Sequence, residues 1–303
     1  MRLTVSAPAK INLFLDITGK RNDGYHLLST VMQAVTLCDD VTVITDEDGS
    51  GIKVTCSDSE IPCDSSNTAY RAAEEFFAAT GIKEQGVTIK IKKRIPSGAG
   101  MAGGSTDAAA VLFALNEIFE TSLETQELAD IAEKIGADVP FCVCGGTMNC
   151  SGIGNIMSPL PDMPECSIVV VKPEFKISTA EAYRRSDELG YENPKKTDAL
   201  ISGICNGRVR TVAENLYNRF EDITGSDEIE SIKKALTDYG ACGAIMTGSG
   251  SAVFGLFEDE DEAQDCTKEM KSKYDLVYLC SPCNHGPKEI TGGKLFSIFG
   301  DDR

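Results

Sequence analysis

The sequence predicts an α+β protein in two parts, and three observations carry that prediction. Strand-like segments cluster ahead of helix-like ones in each half of the chain. The length of 303 residues suits two cores at roughly 150 residues each. The stretch Ser158-Pro-Leu-Pro-Asp-Met-Pro then reads as a joint, so the expected domains are residues 1–157 and 158–303.

The first part opens with strands at Leu3–Ser6, Ile11–Ile17, Val41–Ile44 and Ile52–Cys56, separated by Gly- and Asp-rich turns. Val87, Ile89 and Ile91 alternate with Thr88, Lys90 and Lys92, the pattern of a strand with one wet face. A Gly-rich loop (Pro96–Gly104) and an Ala-rich helix (Ser105–Phe119) follow. The next helix carries Leu128, Ile131, Ala132 and Ile135 on one face and ends at Gly136. The second part restarts at the apolar run Ile168–Val171. A helix with Ile229, Ile232 and Leu236 on one face follows, then two apolar strands around a Gly/Ser turn at 247–251. An acidic-then-basic helix over Asp259–Lys273 suits the helix dipole, and Leu276–Leu279 reads as a closing strand.

Composition excludes several function classes. Lys and Arg number 29 against 47 Asp and Glu, a net charge of −18, which disfavours nucleic acid and anionic membranes as partners. The longest clean apolar run is Ala108–Leu115, far short of the roughly 18 residues that a membrane span needs. The N-terminal stretch is broken by Thr4 and Ser6 and closed by Lys10, a poor signal peptide. The expectation is therefore a cytoplasmic protein whose twelve Cys are reduced. Cys280 and Cys283 have redox or zinc spacing but no companion pair, and Asp46–Gly51 begins like a calcium loop yet reads as a hairpin turn because Ser57 stands where Glu is needed.

Pro96-Ser-Gly-Ala-Gly-Met-Ala-Gly-Gly-Ser-Thr-Asp-Ala-Ala109 is the most informative segment. Glycines allow positive φ and let backbone N–H groups approach a ligand; a helix start then offers unpaired N–H groups to an anion. The bland alternative is a tight turn with a Ser or Thr cap. The spacing Gly98-x-Gly100-x-x-Gly103 matches a dinucleotide fingerprint, but a second helix rather than a second parallel strand follows. No Gly-Lys-Ser/Thr is present, and the protein-kinase signatures are missing. Elsewhere, Lys10 interrupts an apolar strand and needs a partner unless it guards a strand edge. Asp138 follows Gly136 and serves equally as a turn residue, and Asn12 serves equally as a strand-end hydrogen-bonding group. Taken alone, His26 beside Tyr25 is more often a loop residue or a satisfied partner than a ligand. The Gly/Ser turn is what a β-turn requires in any case.

With that glycine loop in hand, the chain resembles the GHMP kinase superfamily. Ala7-Pro-Ala-Lys10-Ile-Asn12, Gly24-Tyr25-His26, Gly136-Ala-Asp138-Val-Pro-Phe, Lys172-Pro…Ser-Thr179-Ala-Glu-Ala-Tyr183 and Thr247-Gly-Ser-Gly-Ser-Ala-Val-Phe254 extend the likeness over residues 7–257. Gly-Tyr-His beside Pro-Ala-Lys-Ile-Asn is similar to the branch whose acceptor is a cytidine-diphosphate-linked polyol, rather than to the homoserine or mevalonate kinases. The resemblance implies a two-domain fold with its active site in the cleft between the domains, and transfer of the ATP γ-phosphoryl group to a hydroxyl of a small molecule. It implies that Pro96, Ser97, Gly98, Ala99, Gly100, Met101, Ala102, Gly103, Gly104, Ser105 and Thr106 hold ATP. Asp138 is then the base and Lys10 its partner, while Asn12, Tyr25, His26, Thr179, Tyr183, Gly248 and Ser249 face the acceptor. Mg²⁺ is expected with ATP, without a carboxylate ligand singled out, and the working unit is a monomer or weak homodimer. Met101 and Ala102 stand where Leu and Gly are usual, Thr106 replaces a Ser, and Asn155 stands where the family has Glu.

Overall fold

The computed structural model describes residues 1–47, 49–83, 85–191 and 195–290. Its organising feature is one long antiparallel pair, β1 (Arg2–Lys20) and β2 (His26–Asp46), in register from Arg2 opposite Ile44 to Lys20 opposite His26. The sequence patterns mark only pieces of these strands, because the register slips between Pro8 and Lys10, Asn12 and Phe14, and Ile17 and Gly19. Each slip re-aims the side chains beyond it and interrupts the two-residue period. Lys10, Ile11 and Asn12 form one regular run between two slips, so Lys10 and Asn12 share a face.

β3 (Ile52–Cys56), α1 (Thr68–Thr80), β4 (Gly86–Lys92), α2 (Gly103–Ile118), α3 (Thr125–Glu133), α4 (Val139–Cys144), β5 (Thr147–Ser151) and β6 (Ile156–Pro159) complete the first half. β4 pairs with β2 and β3 pairs with β4 in parallel, while β5 pairs with β2 and with β6. The connection after Asp46 is therefore no hairpin: β4 lies between β2 and β3, and Asp48 lies outside the described residues. α1, α2, α3 and α4 bury Phe76, Val111, Leu115, Ile131 and Phe141 against Val5, Val41, Val43 and Ile89 of this sheet. Burial of each such side chain contributes roughly 1.5–3 kcal/mol.

The second half comprises β7 (Ser167–Lys172), α5 (Thr179–Leu189), α6 (Asp198–Cys205), α7 (Val209–Glu214), β8 (Tyr217–Asn218), α8 (Arg219–Thr224), α9 (Asp227–Asp238), β9 (Gly243–Met246), β10 (Val253–Phe257), α10 (Glu260–Lys271), β11 (Leu276–Cys280), β12 (Pro282–Cys283) and β13 (Lys288–Glu289). Its own sheet runs β11-β7-β10-β9 and is antiparallel throughout. Ile229, Ile232 and Leu236 of α9, with Ala263, Cys266 and Met270 of α10, pack on that sheet. A separate cluster joins both halves, bringing Ile11, Leu13, Val31 and Met101 against Val170, Leu200, Phe254 and Leu256. The expected boundary at residues 157 and 158 falls inside β6, a strand of the first sheet. Moreover β8, β12 and β13 return to β1 and β2, so the first sheet takes strands from both ends of the chain.

Candidate active site

A cleft of about 480 Å³ opens between the glycine loop, β1, α5 and the turn after β9. Its walls include Lys10, Asn12, Thr30, Lys93, the loop from Pro96 to Ser105, Asp138, Thr179, Tyr183, Gly248 and Ser249.

The loop is built by local backbone preference and then fixed by distant contacts. Gly98 and Gly100 adopt φ of 62° and 74°. A Cβ on Gly100 would meet the Thr247 carbonyl oxygen at 2.1 Å, so only glycine lets the loop lie against the β9–β10 turn. Backbone bonds stitch the two together: Ser251 N–H to Gly98 O and Ala252 N–H to Ala99 O, at 3.4 and 3.3 Å. α2 starts at Gly103, two residues before the expected Ser105, because Ala102 makes the left-handed turn (φ 57°) that admits both glycines to the helix. Ala102 supplies no side-chain cap, and Gly103, Gly104 and Ser105 of the first turn line the cleft, so their N–H groups take no partner from the cap. They form a cradle suited to phosphate.

Ser105 lines the cleft, but Thr106 does not: its hydroxyl donates to Pro8 O at 2.7 Å and its N–H to Ala102 O at 2.9 Å. Both polar groups are spent inside the protein, which removes Thr106 from the expected nucleotide contacts. Met101 and Ala99 are buried and contribute backbone, Met101 O accepting the Lys10 N–H at 3.2 Å.

Lys10 is buried, with Nζ 2.7 Å from Asn12 Oδ1 and 3.8 Å from Asp138 Oδ2. Asn12 is fixed in turn, donating from Nδ2 to Thr30 Oγ1 at 2.9 Å, while Thr30 donates to Phe14 O at 2.6 Å. Its own N–H donates to Thr247 Oγ1 at 3.0 Å, tying β1 to the β9–β10 turn. Asp138 holds the N-cap position of α4 without capping it; its carboxylate, 41% exposed, stays directed to Lys10 and the cleft. Across the cleft, Thr179 at the start of α5 lies 2.7 Å from the Ser249 hydroxyl. Asn218 Nδ2 donates to Met246 O and Gly248 O, holding the turn in place.

Tyr183 lines the cleft and stacks on His26, ring centroids 4.4 Å apart at 21°. His26 and Tyr25 lie beyond the wall itself; Tyr25 is 59% exposed. Three groups that sequence reasoning passed over also shape the site. Thr30 and Asn218 carry no sequence signal, since only strand pairing and the return of β8 bring them here. Lys93 had one, the cationic run Lys92-Lys93-Arg94 before the loop. Its Nζ lies 2.5 Å from Asp39, 2.7 Å from Asp107 and 3.3 Å from Gly103 O. Burial works against the Lys93 charge, but Asp107 and Asp39 more than restore it and leave its pKa raised. Burial pushes the Asp107 carboxyl up to about 7, against the pull of Lys93. Among the described residues, no cluster of His, Cys, Asp and Glu is placed to hold a metal, and Cys280 and Cys283 are free thiols on different sheets.

Comparison with known proteins agrees with this arrangement. Residues 67–146 match the GHMP kinases N terminal domain and residues 200–276 the GHMP kinases C terminal domain. A 4-diphosphocytidyl-2-C-methyl-D-erythritol kinase from Clostridium kluyveri is 43% identical over 279 residues, covering 91% of this chain and 99% of its own. The enzyme of that name from Clostridium botulinum is 44% identical over 279 residues, with the same coverage of 91% and 99%. A crystal structure of 4-(cytidine 5'-diphospho)-2C-methyl-D-erythritol kinase superposes with a TM-score of 0.77 at 30% identity, covering 94% of this chain and all of that one (100%). Homoserine kinase from Cytophaga hutchinsonii shares the fold, with a TM-score of 0.77 at 22% identity over 95% of this chain and 97% of its own. The chain belongs to the GHMP kinases, in the family of 4-diphosphocytidyl-2-C-methyl-D-erythritol kinases.

Proposed function

We propose that the chain transfers the γ-phosphoryl group of ATP to the 2-hydroxyl of 4-diphosphocytidyl-2-C-methyl-D-erythritol, a step of the non-mevalonate route to isoprenoid precursors. The carrying observation is the Lys10–Asp138 pair on the wall of the cleft that the glycine loop also lines. Phosphoryl transfer needs alignment, charge neutralisation and an acceptor for the hydroxyl proton. The loop and the α2 start hold the nucleotide phosphates through backbone N–H groups. Asp138 takes the proton from the 2-hydroxyl as its oxygen bonds the γ-phosphorus and the bond to the β-phosphate oxygen breaks, releasing ADP. Lys10, fixed by Asn12, lies beside Asp138 and offsets charge on the reacting oxygens.

Thr179, Ser249 and the Gly248 backbone hold the polar groups of the acceptor, and the Tyr25, His26 and Tyr183 group takes its cytosine. Mg²⁺ belongs to the proposal as the ion that would accompany ATP and offset the charge of its phosphates. Asp138 is the acid among the described residues of the cleft wall. A cytoplasmic location fits the use of ATP and the twelve free thiols, and the working unit of the proposal is a monomer or weak homodimer.

ADP release, measured with and without the cytidylyl acceptor, tests the reading. ADP formation should depend on that acceptor. Equal ADP release without it, or turnover of homoserine or mevalonate in its place, would overturn the assignment.

A further inference from the structure

Next to the cleft is a polar cluster that the phosphoryl-transfer machinery does not use. It joins the tip of the β1–β2 pair to α5. Lys20 and His26 face each other across the end of that pair. Tyr183 and Asp187 lie one turn apart on one side of α5, and Tyr191 follows just past the helix end at Leu189, beyond Gly190. The His26 ring is held on three sides: stacked on Tyr183, edge-on to Tyr191 at 6.3 Å and 66°, and bonded through Nε2 to Asp187 Oδ1 at 2.7 Å. Its side chain is only 10% exposed. Asp187 is itself over-determined, accepting from Lys20 Nζ at 2.6 Å through Oδ2 and from the Tyr191 hydroxyl through Oδ1.

We propose that Asp187 is a positioning residue for base selection, fixing the hydrogen of His26 on Nε2 so that Nδ1 presents an acceptor that favours a 4-aminopyrimidine over a 4-oxopyrimidine. The inference rests on the cytidylyl-acceptor reading of the site. A carboxylate with no proton can only accept, so the Nε2 atom beside it must donate. Hydrogen bonds from Lys20, Tyr191 and His26 hold the Asp187 carboxyl well below the usual carboxylate range, which keeps it in that form. In the neutral imidazole the remaining nitrogen, Nδ1, is then an acceptor. Cytosine offers an amino group at position 4, and uracil offers a carbonyl there. An acceptor aimed at that position gains a hydrogen bond with the first and meets a second acceptor with the other. A site built around such a bond discriminates strongly, because the wrong base leaves its polar groups unpaired. The Tyr183 stack fixes the ring plane, and Asp187 fixes which edge carries the hydrogen.

The chain has two histidines, so the tautomer can be read directly by nitrogen NMR on full-length protein labelled at histidine, with His285→Gln to assign the signals. The expected state of His26 is the Nε2–H form, turning to a mixture of tautomers in Asp187→Ala. In the same variant the ratio of kcat/KM for cytidine- over uridine-diphospho acceptor should fall by roughly tenfold to a hundredfold. The loss should be carried by KM rather than kcat, and Asp187→Glu should recover part of it. Melting curves and ATP affinity verify that the variants are folded. If Asp187→Ala leaves both the tautomer and the ratio unchanged, Asp187 is only a structural ion-pair partner and the proposal fails. If the unsubstituted chain does not phosphorylate the cytidylyl acceptor, the functional reading fails on its own, and the base-selection proposal that depends on it falls with it.

Discussion

Lys10 and Asp138 come together only because of what surrounds each one. Lys10 lies in an apolar strand with a solvent exposure of 4%, where an unpaired ammonium would be costly. Asn12 and Asp138 offset that cost and direct Nζ to the cleft. Asp138 remains available because α4 takes no side-chain cap from it. Replacing Asp138 by Asn should leave ATP affinity nearly unchanged while kcat falls by roughly 10²–10⁴, the usual worth of a general base. Combined with Lys10→Met, the losses should be clearly non-additive in a double-mutant cycle. Additive losses, or near-normal turnover in Asp138→Asn, would remove the pair from its role. Two departures from the family pattern also find their reasons here. Ala102 adopts the left-handed conformation that Gly takes freely, at a cost of about 1–2 kcal/mol. Asn155 donates to Glu133 Oε1 at 2.5 Å, a contact that a Glu at this position would turn into repulsion.

The glycine loop and α2 act as one element whose foundation is a buried charge cluster. Asp39 accepts from the Arg94 and Ile95 N–H groups and from Lys93, and Lys93 in turn holds Asp107 and Gly103 O at the helix start. Asp107 Oδ1 is buried without a partner. Its carboxyl, raised to about 7 chiefly by burial, stays protonated in the folded chain over a range where the unfolded chain releases the proton. The folded state therefore binds more protons between the ordinary carboxylate value of about 4 and about pH 7. This contribution to stability is complete below that range and is lost as the pH rises through it, at up to about 1.4 kcal/mol per pH unit. Asp107→Asn removes the titrating group, so its melting temperature should vary less between pH 4 and pH 7 than that of the parent chain. Identical slopes would show that Asp107 is ionised throughout. The loop was legible in the sequence because positive φ leaves a glycine signature, whereas the pinning of α2 by Asp39 depends on β2 lying beside the loop and left no local trace.

The molecule as a whole carries −18 yet presents a cleft suited to polyphosphates. On the proposed reading the two facts are compatible, because the cradle would use backbone N–H groups, a helix start and two lysines with buried side chains, Lys10 and Lys93, rather than a basic surface. Such groups are screened less than exposed charge. ATP affinity should therefore fall by less than about tenfold between 50 and 200 mM salt, against roughly 10³-fold or more for a surface that neutralises six or more phosphates. A steeper fall would mean that exposed cations contribute. The return of β8, β12 and β13 to the first sheet, and the core shared by both halves, hold the loop and the β9–β10 turn in one frame.

The sequence by itself determined the α+β class and marked the glycine loop of residues 96–105 and the charge of Lys10. Each of these leaves a local signature: periodicity, glycine content, or a charge in an apolar strand. Tertiary structure alone decided that Thr106 faces Pro8 and which sheet α1 covers; the helix itself has local signals, Asn67 accepting from the Ala69 N–H at its start and a left-handed Gly81 at its end. It also decided that His26 meets Asp187 across 161 residues and that β13 pairs with β1. Those outcomes follow from strand register and long-range packing, where the free energy belongs to pairs of residues distant in the chain, and no single segment records its partner.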